Sequence, residues 1–277
     1  MSELSFEQKK WESSKGDTIQ TYALIPDQPQ LLVFHIHGLG EHVGRYLPWA
    51  SRFFSKHIAW ISFDLPGHGG STGKRGHFSS LADLLDLFEE LQAHFRALYP
   101  ELGFVLYGHS MGGNLALQYL LERNPSFKGA IISSPWIRLV EEPSALLIAI
   151  ARTLNRFAGG ISLDSGLNPN HMSTISAVCD DYRNDPLNHR RISIASFVML
   201  YESGLSLLHP KATLNLPVYL FHSRLDPLTS FEASQQFASK HPDQVSFYDY
   251  SEGFHELHND TTQSDLFERL NEWLKSL

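Results

Sequence analysis

The chain has 277 residues, 42% of them hydrophobic, and a formal net charge of −8. That size and apolar content argue against a disordered chain and allow a large buried core, while the acidic balance argues against nucleic acid or a strongly anionic membrane as main partner. One cysteine, Cys179, leaves no intramolecular disulfide and no thiolate metal cluster, which fits a reducing, cytoplasmic setting.

Residues 1–11 are polar and mixed in charge, without the apolar stretch of a secretory signal. Residues 7–13 and 18–25 flank Ser14-Lys15-Gly16-Asp17 and read as an edge hairpin. Strand-like runs follow at 31–36, 58–65, 104–107, 130–133, 217–221 and 245–250, alternating with helical patterns near 46–56, 81–99, 115–123, 231–239 and 262–274. Such alternation predicts an α/β fold, a mostly parallel central sheet flanked by helices. Between 133 and 217 it breaks, giving helical patterns at 144–158 and 192–208 and no clear strand. The expected organisation is a core of residues 1–134 and 216–277 with a helical cap inserted as 135–215. Its apolar run 145–151 is too short for the roughly 20 residues that span a bilayer. A soluble protein is expected, with that run either buried or in transient contact with a lipid surface.

The most informative segment is Gly108-His109-Ser110-Met111-Gly112, entered from the apolar run 103–107 and left by a helical pattern. A serine between glycines at a strand-to-helix turn is a nucleophile elbow. The letters G-x-S-x-G alone arise by chance in roughly one chain in ten of this length, and Gly69-Gly70-Ser71-Thr72-Gly73 also fits them. That second copy lies in a turn-rich stretch with no helix to follow, so Ser110 is the candidate nucleophile.

A serine hydroxyl needs a base, and the base needs a group that holds its tautomer. On such a sheet the order is Ser, acid, His. Asp226 follows the run 217–221 after a short loop and His255 follows the run 245–250, so both fall beyond the carboxyl ends of strands. Asp226 could instead be a turn residue before Pro227. His258 is a weaker alternative to His255, and Asp260 reads as a helix cap. An oxyanion needs preorganised donors: the amide of Met111, after the nucleophile, and that of Leu39 in the loop His37-Gly38-Leu39-Gly40. His35 and His37 could face one way on a strand, but no carboxylate extends them into a metal array, and structural hydrogen bonding is expected.

With these residues in view, the chain resembles the monoacylglycerol lipase and lysophospholipase branch of the α/β-hydrolases over nearly its whole length. The resemblance rests on residues 37–46, on Phe63-Asp64-Leu65-Pro66-Gly67-His68-Gly69 with Ser71, Gly73, Arg75 and Gly76, on residues 108–113, and on Asp226 with His255-Glu256-Leu257. In the inserted segment only Tyr182, Asp185, Pro186 and Leu187 share the pattern. The resemblance implies an α/β-hydrolase fold and a serine hydrolase of acyl esters, with Ser110, Asp226 and His255 as triad and Leu39 and Met111 as oxyanion donors. Glu41, Arg45 and Asp64 also fall on its motif positions and read as hydrogen-bonded scaffolding.

The expected substrate is a small-molecule lipid ester with one acyl chain, most simply a monoacylglycerol, and the chemistry requires no cofactor. Lysophospholipase and general carboxylesterase activities are the alternatives. An aminopeptidase-like reading would need cap carboxylates, for which Glu141, Glu142, Asp180, Asp181 and Glu202 are available; a non-catalytic ligand-binding module would need a broken triad.

Overall fold

The computed structural model describes residues 6–53, 57–210 and 212–277. In chain order the elements are β1 (Glu7–Glu12), β2 (Thr18–Leu24), β3 (Leu31–Ile36), α1 (Leu47–Phe53), β4 (Ile58–Phe63), α2 (Leu81–Leu98), β5 (Gly103–His109), α3 (Met111–Arg123) and β6 (Gly129–Ser133). Then come α4 (Ala145–Ala158), β7 (Ser162–Asp164), α5 (Ser176–Asn184), β8 (Arg191–Ser193), α6 (Ile194–Leu207), β9 (Val218–Ser223), α7 (Phe231–Ser239), β10 (Val245–Tyr250) and α8 (Gln263–Lys275). The start of the polar stretch 1–11 and the end of the predicted helix 46–56 lie outside the described residues.

Eight strands form one sheet in the order β1-β2-β4-β3-β5-β6-β9-β10. The hairpin β1–β2 joins β4 antiparallel, and from β4 to β10 all pairs are parallel. Parallel strands require crossovers, and helices supply them on both faces. Because side chains alternate along a strand, Phe34, Leu106 and Ile132 pack toward Phe88 of α2, Leu115 of α3 and Phe237 of α7. Val33, Val105 and Ile131 pack toward Trp49 of α1 and Leu266 and Leu270 of α8. All of these side chains are buried, each stabilising the fold by about 1.5–3 kcal/mol relative to exposure. Burial on both faces is why these strands read as continuous apolar runs.

The connection from β6 to β9 departs from the expected all-helical insertion: β7 and β8 pair antiparallel as a two-stranded ribbon, Ser162 to Ser193 and Asp164 to Arg191. Three-residue strands are too short to show an alternating pattern, and the first residues of the predicted helix 192–208 are in the ribbon instead. Helix α6 is stitched to α3 from below: Asn114 Nδ2 donates to the carbonyls of Trp136 (2.8 Å) and Leu200 (3.1 Å), and Gln118 Nε2 to that of Ser203 (2.6 Å). Helix α4 lies against α6 and turns Leu146 (72% exposed) and Phe157 (86%) outward. That outward face removes full burial as the explanation of the 145–151 run.

Helix α3 begins four residues earlier than its periodicity suggests. Gly112 and Gly113 are poor helix formers, but a Cβ on Gly112 would stand 2.2 Å from the Ile36 carbonyl oxygen, and one on Gly108 would stand 2.3 Å from that of Gly112. Close backbone contact, not propensity, sets this turn. Gly112→Ala is therefore expected to lower stability by about 1–3 kcal/mol, measurable as a shift of the urea midpoint at constant slope.

Candidate active site

Ser110 stands between β5 and α3 with φ 56° and ψ −118°. A non-glycine residue there costs about 1–3 kcal/mol and persists only where its surroundings over-determine it. They do so here: its amide donates to the Ser133 carbonyl (2.9 Å), and its carbonyl accepts from Asn114 (3.1 Å) and Trp136 (3.0 Å). Its side chain caps no helix amide, which leaves the hydroxyl at a cavity wall. Ser71, by contrast, donates its hydroxyl to the Asp64 carbonyl (2.5 Å) and accepts from Gln20 N–H (2.9 Å), in a loop that leads into no helix.

The loop after β9 carries Asp226 and the loop after β10 carries His255. His255 Nδ1 lies 2.7 Å from Asp226 Oδ2, and both side chains are buried. Oδ2 also accepts from Thr229 Oγ1 (2.8 Å) and faces His222 Nε2 (2.9 Å), while Oδ1 accepts from the amides of Leu228 (2.8 Å) and Thr229 (3.2 Å). Asp226 is thus a turn residue and a histidine partner at once. Burial pushes its carboxyl upward, but the His255 charge and the hydrogen bonds from His222 and His255 win, holding it well below the usual carboxylate range. For His255 burial acts downward and the Asp226 charge and hydrogen bond act upward, with a raised pKa as the result. His255 and Ser110 line the same cavity; no hydrogen bond joins the two side chains among the described residues.

The Leu39 loop closes on the elbow from β3: a Cβ built on Gly38 would come within 3.3 Å of Ser110 Cβ. Neither the Leu39 amide nor the Met111 amide donates to a backbone acceptor among the described residues. Glu41 holds this loop, accepting from Gly38 N–H (2.5 Å) and Tyr46 Oη (2.6 Å). Arg45 then joins Glu41 Oε2 (2.9 Å) to Glu256 through two bonds of 2.5 and 2.8 Å, tying the Gly38 loop to the histidine loop. Asp64 accepts from the amides of Val43 and Gly70, both at 2.8 Å. His35 bonds Ser62 Oγ at 2.8 Å and His37 accepts from Leu65 N–H at 2.9 Å, so both imidazoles are used in hydrogen bonding.

His258 is buried and stacks on Tyr46, with ring centroids 5.0 Å apart; burial depresses its pKa to about 4. It does not line the cavity. Asp260 is not a helix cap, because Thr262 holds that position without a side-chain bond. Its carboxylate accepts instead from Ser173 Oγ (3.0 Å), the Thr174 amide (2.7 Å), Thr174 Oγ1 and the Phe254 amide (3.0 Å), clamping the inserted segment to the histidine loop. Thr229 and His222 were not legible as site residues: a threonine in a turn and a histidine in a strand carry no motif. The strand end that placed Asp226 was the one signal within reach of Thr229, three residues on.

The cavity encloses about 1060 Å³, partly continuous with solvent. Trp136, Leu139, Leu167, Met172, Ile192 and Phe197 form its apolar wall above a polar floor of Glu41, His109, Ser110, His255 and Glu256. No group of three or more His, Cys, Asp or Glu suited to a metal ion occurs among the described residues.

Residues 27–262 match the hydrolase family described as serine aminopeptidase, S33. The chain belongs to this family. The hydrolase is 28% identical to a monoacylglycerol lipase of Mycolicibacterium smegmatis, over 91% of this chain and 90% of that protein. It is 32% identical to an abhydrolase domain-containing protein of Dictyostelium discoideum over 95% of this chain, and spans only 28% of that longer protein. Among solved structures, the Paleococcus ferrophilus monoacylglycerol lipase superimposes with a TM-score of 0.83 at 25% identity, covering 99% of both chains. The hydrolase therefore has the α/β-hydrolase fold, and its described helices include none long and apolar enough to cross a membrane.

Arg45 is the sole cation bonded to both Glu41 and Glu256 among the described residues. Burial raises Glu256, but the Arg45 charge and hydrogen bonds pull it well below its ordinary value. A carboxylate so depressed contributes stability above its unfolded pKa and loses it as pH falls through the folded value. Arg45→Met is expected to cost about 3–5 kcal/mol at pH 7 and to reduce the loss of stability on acidification below pH 4.5, read by urea titrations at stepped pH.

Proposed function

We propose that the hydrolase cleaves the ester of a singly acylated lipid, most simply a monoacylglycerol, through an acyl-enzyme on Ser110. The observation that carries this reading is that His255, paired with Asp226 at 2.7 Å, lines the same cavity as the strained Ser110. Ser110 Oγ attacks the carbonyl as its proton passes to His255 Nε2, and Asp226 fixes the tautomer and balances the imidazolium. The Leu39 and Met111 amides receive the oxyanion. Collapse expels the alcohol with the proton from Nε2; water, deprotonated by the same nitrogen, then attacks the acyl-enzyme, and the proton returns to Ser110 Oγ as the fatty acid leaves.

The apolar wall over a polar floor suits one acyl chain and a small neutral head group, and the named activities of the mycobacterial and Paleococcus relatives favour the same substrate class. In this reading residues 135–215 are the cap, and the exposed face of α4 meets the lipid surface from which substrate is drawn. The family's aminopeptidase description keeps amide hydrolysis in view, and Glu141 does line the cavity. Of the other cap carboxylates considered for a substrate ammonium, Glu142, Asp180 and Glu202 are paired with Arg138, Arg183 and Arg152, and neither they nor Asp181 line it. That weakens the amide reading.

A fluorophosphonate probe is expected to label the wild type and Ser71→Ala but not Ser110→Ala. In a competition panel, monoacylglycerol should be turned over ahead of diacylglycerol, lysophosphatidylcholine and an N-terminal prolyl amide; preference for lysophosphatidylcholine overturns the head-group assignment.

The base must be neutral to act, so kcat/KM should rise with pH through a midpoint above the ordinary 6.5 of histidine. Asp226→Asn should lower kcat by about 10⁴-fold. The pair Leu146→Ser and Phe157→Ser is expected to weaken sedimentation with phosphatidylcholine vesicles by about tenfold or more without changing hydrolysis of a soluble p-nitrophenyl ester.

A further inference from the structure

We propose that His222 is a positioning residue for the catalytic acid: it donates a hydrogen bond to Asp226 Oδ2 and limits how much of the carboxylate's charge is felt by His255. This rests on the reading of Ser110, His255 and Asp226 as a triad.

His222 lies at the end of β9 with its side chain fully buried. Its Nε2 is 2.9 Å from Asp226 Oδ2 and 3.1 Å from the Thr229 carbonyl oxygen. Neither oxygen can donate, since the carboxyl is held ionised, so Nε2 must carry the proton. The Thr229 hydroxyl lies 3.3 Å away but has one hydrogen, which Asp226 Oδ2 (2.8 Å) and the Ser134 carbonyl (3.1 Å) both attract. On the other side Nδ1 meets Ser234 Oγ at 2.8 Å, a hydroxyl on α7 able to donate to it. The ring is thereby fixed between a helix and the acid.

Oδ2 thus stands between two imidazoles, at 2.9 Å from His222 and 2.7 Å from His255. Every hydrogen bond to a carboxylate stabilises its charge and lowers its basicity. A donor on the far side fixes the direction of the near one and tempers the pull on the catalytic imidazole. The titratable groups around this unit are Asp226, His222, His255, His109 at 4.8 Å from the His255 ring, and Glu256, Glu41 and His258, whose charges also act on His255; the ring against His222 is Phe231 of α7, at 6.0 Å.

The test compares His222→Leu, which removes the donor, with His222→Gln, whose amide can replace Nε2–H, using steady-state kinetics on a soluble p-nitrophenyl ester from pH 5 to 9. The expected result for His222→Leu is a loss in kcat of about ten- to a hundredfold, the range for one hydrogen bond to a charged group. KM should stay within about twofold, and the acidic limb of kcat/KM should move to higher pH. His222→Gln should recover most of the loss and return the limb. A purely structural role predicts a lower melting temperature with the limb unmoved.

Wild-type kcat and limb in His222→Leu overturn the proposal, as does a His222→Gln variant no better than His222→Leu. If Asp226→Asn, assayed in parallel, retains wild-type kcat, the triad reading itself fails; if it is inactive while His222→Leu is normal, only the present proposal fails. Should His222→Leu not fold, Ser234→Ala carries the test: it frees the ring, and a loss in kcat of about three- to tenfold with the limb displaced supports the role, whereas unchanged kinetics reject it.

Discussion

The loops around the cavity leave different strands of one sheet, and no ladder hydrogen bond joins β3 to β10, which have three strands between them. The buried Arg45 guanidinium supplies that link. Bonded to Glu41 on one side and to Glu256 on the other, it makes the Gly38 loop and the histidine loop a single unit, and Tyr182 from α5 covers its face at 4.6 Å from the ring centroid. Two carboxylates without this cation would be unpaired charges away from water. The geometry at Ser110 and His255 is therefore only as good as an ion triad that need not touch substrate.

A second layer of constraint comes from the inserted segment. Asp260 grips Ser173 and Thr174, and the Glu256 amide donates to the Met172 carbonyl at 2.8 Å. Leu139 bridges to Thr229, beside the acid, and Val140 N–H donates to the Leu228 carbonyl at 3.0 Å. The segment that roofs the cavity thus also holds the loops that carry Asp226 and His255, so cavity shape and the placement of these two side chains are mechanically linked.

Much of this was legible in the residue order. Burial on both faces gave an apolar run at 31–36, and its bounds and those of 245–250, an edge strand that is partly exposed, match the observed ones; the elbow was readable because its turn forces glycines into fixed positions. Legibility failed where a local signal competes with a distant partner. Asp260 before two threonines looks like a cap, yet its acceptors are used by Thr174 and Phe254. The helix α5 and the ribbon of β7 and β8 depend on contacts across the insertion, and short elements have too few residues to show a period. His222 and Thr229 gain their meaning only from where the chain brings Asp226.

Helix α6 remains bonded to α3 through Asn114 and Gln118, while α4 leans on α6 and shows its other face to solvent. An element supported from one side can change sequence, or even length, with little penalty for the sheet beneath. Substitutions on the outer face of α4 can therefore alter what the protein's surface meets while leaving the cavity walls untouched, since no residue of this helix lines the cavity.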